Sequence, residues 1–436
     1  MDGIGQNSGG WSRWLVPALT VVLFGLEMAR APSVHQDFAP LYAAAVLATE
    51  GRLADAYATD PVKLKRAGPV LTDTAHEHGY PIRHVSRYLH APAVAMLCVP
   101  FTALTYPFAA YLFRTLSLLA LVASAFMLAR LAGWNTRTGP IVLVALLFFD
   151  PARMTLDLGQ TNLMVLALVL YGLSSRAVIR SGLALGVAAL LKTFVLAVPL
   201  VWLAAGGDDK ARRAGLTAVL TLAILNAAAY LVSPEGTFAW ADSMAQLSHF
   251  QFLWPEQQSL ASQVVRVMHG YSAADVTAWT HAVVATGSAG LLPMAWALAV
   301  GALAALLAVW RRPDTFTSAV LAICAGLLAS PVLHSHYGLM LAVAAAWVVR
   351  RGRWDVAAGL CLAGFALQAV PLHSAEGAFW VPLIGGAWVP WVFCSYRLVG
   401  VALAFAGACL AVIRKSEATG ASAPSRTTAR VRTKFE

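Results

Sequence analysis

Charge is scarce in this chain. Asp, Glu, Lys and Arg make up 12% of its 436 residues, against 59% hydrophobic. A chain so poor in charge does not stay soluble as a globule. Its apolar residues fall in blocks separated by short basic loops, the pattern of a polytopic membrane protein. Cysteine is sparse too: Cys98, Cys324, Cys361, Cys394 and Cys409 form no Cys-x-x-Cys pair and mostly lie inside apolar runs. That spacing argues against a disulfide frame and a thiolate metal site. No glycine-rich phosphate loop opens a helix after a strand, so a nucleotide-fuelled pump is not expected. A heptad seam, an internal repeat and a separate soluble domain are all missing. The histidines of HEHGYPIRH (His76, His78, His84) do not form His-Glu-x-x-His and have no matching ligands elsewhere, so neither a metal nor another cofactor is expected. The formal charge of +10 comes with no nucleic-acid-binding signature, and the positive residues cluster in loops, where membrane orientation accounts for them.

What is present is a series of about twelve candidate spans: 13–30, 106–129, 139–153, 160–174, 181–192, 194–205, 214–232, 290–310, 316–330, 335–349, 355–371 and 389–413. The fold class expected is therefore an all-α integral membrane protein. The 181–205 region reads as two short or bent pieces, because spanning lipid takes about 20 residues. Residues 89–105, broken by Pro92 and Pro100, read as an interfacial or re-entrant segment. The stretch 14–28 precedes a small-residue Ala29-Arg30-Ala31 site; it is expected to stay as an anchor, with Glu27 at its outer end. Arg130 and Arg137, Arg176 and Arg180, Lys210 with Arg212 and Arg213, Arg311 and Arg312, and Arg350 with Arg351 and Arg353 alternate to one side. The positive-inside rule makes that side cytoplasmic, together with a basic disordered tail at 414–436. Asp208-Asp209 falls there as a solvated loop. The other side holds the long loops 31–88 and 233–289 and nearly all the histidines.

Those outer segments carry the polar residues that could do chemistry. Asp37 stands where the first span ends, before FAPLYAAAVLATE, a stretch that reads as an amphipathic surface helix. Its carboxylate can cap that helix, or act as a general base at a half-buried interface. DPARMTLDLGQTNL (150–163) places Asp150, Arg153, Asp157, Gln160 and Asn162 at another outer junction, with Gly159 for a sharp turn. The amides there can bond hydroxyls or satisfy helix ends. Lys192 interrupts the apolar run ALLKTFVLAVP, where a lone ammonium is costly. It can snorkel or, as we favour, pair with an anionic headgroup or phosphate. His334 and His336 in ASPVLHSHYGLML suit phosphate binding or proton transfer. In WPEQQSLASQ, Glu256, Gln257, Gln258 and Ser259 suit sugars or the capping of a helix. QQSLASQVVRV and AADVTAWTHAVV both read as helical.

Taken in order, QDFAPLYAAAVLATEGRLADAY, YLHAPAVAML, LDLGQTNLMVLALVLYGL, GLALGVAALLKTFVLAVPLV, EQQSLASQVVRV and SPVLHSHYGLMLA resemble the polyprenyl-phosphate-mannose-dependent glycosyltransferases of family 87. The resemblance covers most of residues 36–341. The family's usual Tyr-Pro-Pro run is Leu89-His90-Ala91-Pro92 here, and Gln257 stands where an Asn is usual. It implies a GT-C fold over 1–413 and inverting transfer of a sugar, by default mannose, from a polyprenyl-phosphate donor. The acceptor would be a hydroxyl of a glycolipid or polysaccharide at the outer face of the inner (plasma) membrane; relatives use arabinofuranose instead. Asp37 matches the family's base. Lys192, His336 and His334 are the expected donor-phosphate ligands, and Tyr42, Asp157, Gln160, Asn162, Gln258 and Ser259 the expected substrate contacts. A lipid or solute transporter is the reading of another class; it would need half-to-half symmetry, which the sequence lacks.

Overall fold

The computed structural model describes residues 35–58, 66–205, 208–252, 257–268, 283–285, 291–370 and 389–420, and residues 18–29 in part. The expected span 13–30 is helical where it is described. Most of AADVTAWTHAVV, together with Glu256 and the tail from 421, lies outside the described residues.

The first helix described from end to end, α1 (Phe38–Thr49), has every residue from Phe38 to Leu47 buried. This corrects the expected amphipathic surface helix. Apolar side chains occupy all of its faces, and a helix of that kind sits inside a core. It is enclosed by a 3-10 turn (Leu53–Tyr57), α2 (Pro69–Glu77), α3 (Pro92–Cys98) with the 3-10 turn Val99–Ala103, and α4 (Tyr106–Leu131). The Phe38 ring stacks on Phe113 with centroids 4.4 Å apart. At seven residues α3 is about 10 Å long, too short to cross a bilayer, which agrees with the re-entrant reading of 89–105.

The larger core gathers α4 with α5 (Gly139–Phe148), α6 (Asp150–Leu158), α7 (Asn162–Ser174), α8 (Val178–Leu191), α9 (Ala197–Ala205) and α10 (Asp209–Val232). It is completed by α13 (Leu291–Arg311), α14 (Thr315–Ala329), α15 (Leu341–Arg351), α16 (Val356–Ala369) and α17 (Val389–Gly420). Between α10 and α13 come α11 (Pro234–Ser248), β1 (Phe250–Phe252), α12 (Leu260–Met268) and β2 (Val283–Ala285). The two strands pair antiparallel, Phe250 opposite Ala285. The end of AADVTAWTHAVV is therefore strand rather than helix. The last helix runs to Gly420, beyond the expected boundary at 413.

Among the described residues four helices are long and apolar enough to cross a membrane: Tyr106–Leu131, Asp209–Val232, Met294–Arg311 and Ser395–Arg414. Eight further apolar helices have 10–17 residues. Among the described residues, several of the about twelve candidate spans expected are therefore short helices. Apolar blocks are interrupted where the backbone turns extended, once in a block that reads as continuous and once in the region already expected as two pieces. Phe149 does so ahead of Pro151 and divides 139–153. Lys192, at φ −144° and ψ 107°, divides α8 from the 3-10 turn Thr193–Leu196 and α9. The block 335–349 opens as a 3-10 helix, Ser335–Met340.

Thr315 Oγ1 donates to Asp208 Oδ2 at 2.7 Å, and the Arg350 guanidinium lies over the Phe316 ring. These contacts bring three of the basic loops together, those carrying Asp208, Thr315 and Arg350, and Asp208 also caps α10 through Lys210 N. Elsewhere Asp37 N donates to Leu158 O at 3.0 Å, bringing the end of the first span to the α6–α7 turn. Gly159 makes that approach possible. Its φ is +69°, and a Cβ there would come within 2.7 Å of His35 Cβ. Gly159→Ala should therefore cost at least the ~1–2 kcal/mol of a left-handed alanine, with the clash added. Thermal unfolding in detergent reads it; an unchanged melting temperature would contradict this account of the turn.

Candidate functional site

At the start of α1, His35 O accepts both Phe38 N and Ala39 N at 3.1 Å. Pro40 has no N–H to offer. The first-turn donors are thus satisfied without the Asp37 side chain, which makes no cap bond. The capping role weighed from sequence is corrected accordingly. The half-buried carboxylate instead takes a hydrogen bond from Gln160 Nε2 at 2.5 Å. Lys192 Nζ in turn donates to Gln160 Oε1 at 3.0 Å. Three segments distant in sequence thus form one chain: carboxylate, amide, ammonium.

Lys192 is 7% exposed and sits where α8 ends. Its ammonium also lies 4.8 Å from the Tyr337 ring centroid, a cation–π contact favoured in a desolvated setting. Tyr337 packs on His336 at 5.0 Å, and His336 stacks on His334 at 5.3 Å. His336 is buried, with both ring nitrogens lacking a hydrogen-bond partner among the described residues. Asn162, fully buried in the first turn of α7, shares that condition at both amide atoms. Such groups normally find partners in a folded protein. The site lies on the seam of the two cores: Leu190 belongs to the smaller one and Leu191 packs against both.

The other expected contacts lie elsewhere. Tyr42 is buried in the smaller core and donates to Leu104 O at 2.7 Å. Asp157 is exposed at the end of α6. Gln258 Oε1 accepts Arg397 N at 2.8 Å, and Ser259 Oγ accepts Ser262 N, capping α12. Of the alternatives weighed for that segment, helix capping and tethering are what the geometry displays.

Sequence reading passed over several residues that frame the site. Arg397 is 1% exposed; its guanidinium donates to Asp150 Oδ2 at 2.6 Å, Ser335 O at 3.0 Å and Tyr396 OH at 2.6 Å. It therefore ties α17 and α6 to the segment carrying His334 and His336. Arg114, inside α4, pairs with Glu27 at 2.8 Å and reaches His35 Nε2 at 3.4 Å. The signal that singled out Lys192, a charge within an apolar run, applied equally to both arginines.

Electrostatics agrees with this geometry. Burial, and then the Arg114 guanidinium, hold the His35 imidazole down at about 4. Burial and Lys192 hold His90 at about 3. The Tyr80 phenol is pushed up to about 12 by burial and by the charge of Asp37. His90 and Tyr80 therefore border the same cluster from the 78–92 segment.

Two tests follow from these contacts. Arg397→Met or Asp150→Ala strands a buried charge and should cost about 3–5 kcal/mol. The paired replacement should cost less than the sum, read as melting temperatures in detergent. His35 has a folded-state value below its unfolded one, so its contribution is complete above about pH 6.5 and declines as pH falls toward 4. The melting temperature should drop across that window, and less steeply in His35→Gln.

Comparison with known proteins adds an independent line. The sequence profile described as glycosyltransferase family 87 matches residues 88–331. That match contains His90, Gln160, Asn162 and Lys192; Asp37 and His334–Tyr337 lie outside it. A polyprenol-phosphate-mannose-dependent alpha-(1-2)-phosphatidylinositol mannoside mannosyltransferase of Mycolicibacterium smegmatis is 26% identical over 359 residues, 72% of this chain and 76% of that protein. An alpha-(1->3)-arabinofuranosyltransferase of Corynebacterium glutamicum is 29% identical over 198 residues, 43% of this chain and 45% of that protein. No solved structure matches the chain.

Proposed function

The chain belongs to glycosyltransferase family 87, and from that premise we propose that it transfers a sugar from a polyprenyl-phosphate donor to an acceptor hydroxyl with Asp37 as general base. The observation that carries the reading is the carboxylate and the ammonium held one glutamine side chain apart at a single edge of the bundle. In the reaction, an Asp37 oxygen takes the acceptor's O–H proton as that oxygen forms its bond to the anomeric carbon. The bond from that carbon to the phosphate oxygen breaks, and its electron pair leaves with the polyprenyl phosphate. Attack opposite the leaving group inverts the centre. A phosphate leaves without protonation, so one base suffices. Lys192, with His336 and His334, stabilises the charge that develops on it. Asn162 is the buried amide best placed by sequence, two residues from Gln160, to meet the sugar.

The protein is multi-pass and its active edge lies opposite the basic loops. Under the positive-inside rule that edge is extracytoplasmic, on the inner (plasma) membrane. Glycolipid or polysaccharide is the acceptor class. Mannose is the sugar we assign, on the longer match with the mannosyltransferase; the shorter match makes arabinofuranose the alternative. Transport is the weaker reading, because Arg114 and Arg397 are each neutralised by a fixed carboxylate.

Purified protein given short-chain polyprenyl-phosphate mannose or arabinofuranose, with synthetic alkyl glycoside acceptors, tests the proposal. Asp37→Asn should lower kcat by about 10²–10⁴-fold. Lys192→Met should lower it by about 10²–10³-fold. Undiminished turnover by a folded Asp37→Asn protein would end the base assignment.

A further inference from the structure

We propose that Gln160 is a positioning residue, whose side-chain amide orients the Asp37 carboxylate and transmits to it the state of the Lys192 cation site. The inference rests on the reading of Asp37 as the base and goes beyond it. It gives Gln160 a task other than contacting substrate, since each polar end of its amide already has a partner.

The argument begins with the planarity of an amide. Its acceptor and its donor share one carbon, so orienting one end orients the other. An ammonium donates and cannot accept, so Lys192 selects Oε1. The NH₂ group is thereby obliged to face Asp37, whose ionised carboxylate only accepts. A flipped amide would set donor against donor and acceptor against acceptor. The backbone below is fixed as well, Gln160 N donating to Thr155 O at 2.9 Å beside the left-handed Gly159.

Polarised hydrogen bonds in series strengthen one another. While Lys192 pulls on Oε1, the Gln160 N–H is a better donor and steadies the ionised carboxylate. An incoming phosphate draws the ammonium toward itself, and the N–H then releases part of its hold. Asp37 becomes the stronger base as the donor arrives. Among the described residues, the charged and titratable groups around this chain are Tyr337 against the Lys192 ammonium, His35 with Arg114 beside it, Tyr80, His90, His334 and His336, with Arg397 behind His336.

The experiment compares Gln160→Leu and Gln160→Glu with the parent protein, using whichever of the two polyprenyl-phosphate sugars the parent accepts. Gln160→Leu keeps the bulk and removes both bonds; Gln160→Glu still bonds Lys192 but sets a second carboxylate beside Asp37. Each should lose about 10–100-fold in kcat through a misplaced base. The acid limb of the kcat–pH profile should rise by about one unit in Gln160→Leu and further in Gln160→Glu. Acceptor KM in Gln160→Leu should stay within about threefold, because uniform binding is untouched. An acid limb at the parent's position in both variants, or a loss confined to KM, overturns the proposal. If Gln160→Leu does not fold, judged by melting temperature, the limb of Gln160→Glu decides alone. Asp37→Asn assayed in parallel separates the two levels. Full activity there removes the base reading, whereas an unmoved limb with Asp37→Asn inactive removes only the coupling.

Discussion

A charge beside hydrocarbon must find its counter-charge within the protein, and one end of this molecule is organised by that requirement. Arg114 meets Glu27 and Arg397 meets Asp150, each through direct contact. Those pairs are closed: the guanidinium forks contact carboxylate, backbone and side-chain groups, and they bolt helices together. Lys192 is handled differently. Its link to Asp37 passes through a neutral amide, so the two charges are compensated without touching. A bridged pair keeps both ions available to a third party, which a closed pair does not. The contrast separates closed ion pairs from a bridged one within one small region.

The same region depends on a backbone device. Because His35 O satisfies the first N–H groups of α1, the carboxylate two residues later has no capping duty. Gly159 admits His35 against the α6–α7 turn, and Asp37 N closes onto Leu158 O. The carboxylate, the amide and the turn are therefore set by a few contacts among neighbouring residues. Arg397 performs the equivalent service for the histidine segment by holding Ser335 O.

Much of this could be read from the chain. Polar residues at the junctions of apolar blocks identified Asp37, Gln160, Lys192, His334 and His336, because desolvation makes such placements costly unless they are used. The break at 181–205 was visible from length alone. Tyr42, Asp157, Gln258 and Ser259 were indistinguishable from these by residue type, since hydroxyls, carboxylates and amides serve packing and capping as readily as binding. Arg114 and Arg397 interrupt apolar runs as plainly as Lys192 does, but their carboxylate partners, Glu27 and Asp150, lie far away in sequence and leave no local sign of the pairing. The burial of α1 was misjudged for a related reason: its polar neighbours at either end suggested a surface, while its own faces are apolar throughout.

Composition and the spacing of basic loops, acting through the cost of placing charge in lipid, were enough to determine a helical multi-pass membrane protein. Which blocks cross and which break, and which polar residues meet, depended on tertiary structure. Pairing across 123 residues between Asp37 and Gln160 leaves no local trace in a sequence. It arises only when two separately packed cores are brought edge to edge, and hydrogen-bond geometry then selects among the polar groups that the seam collects.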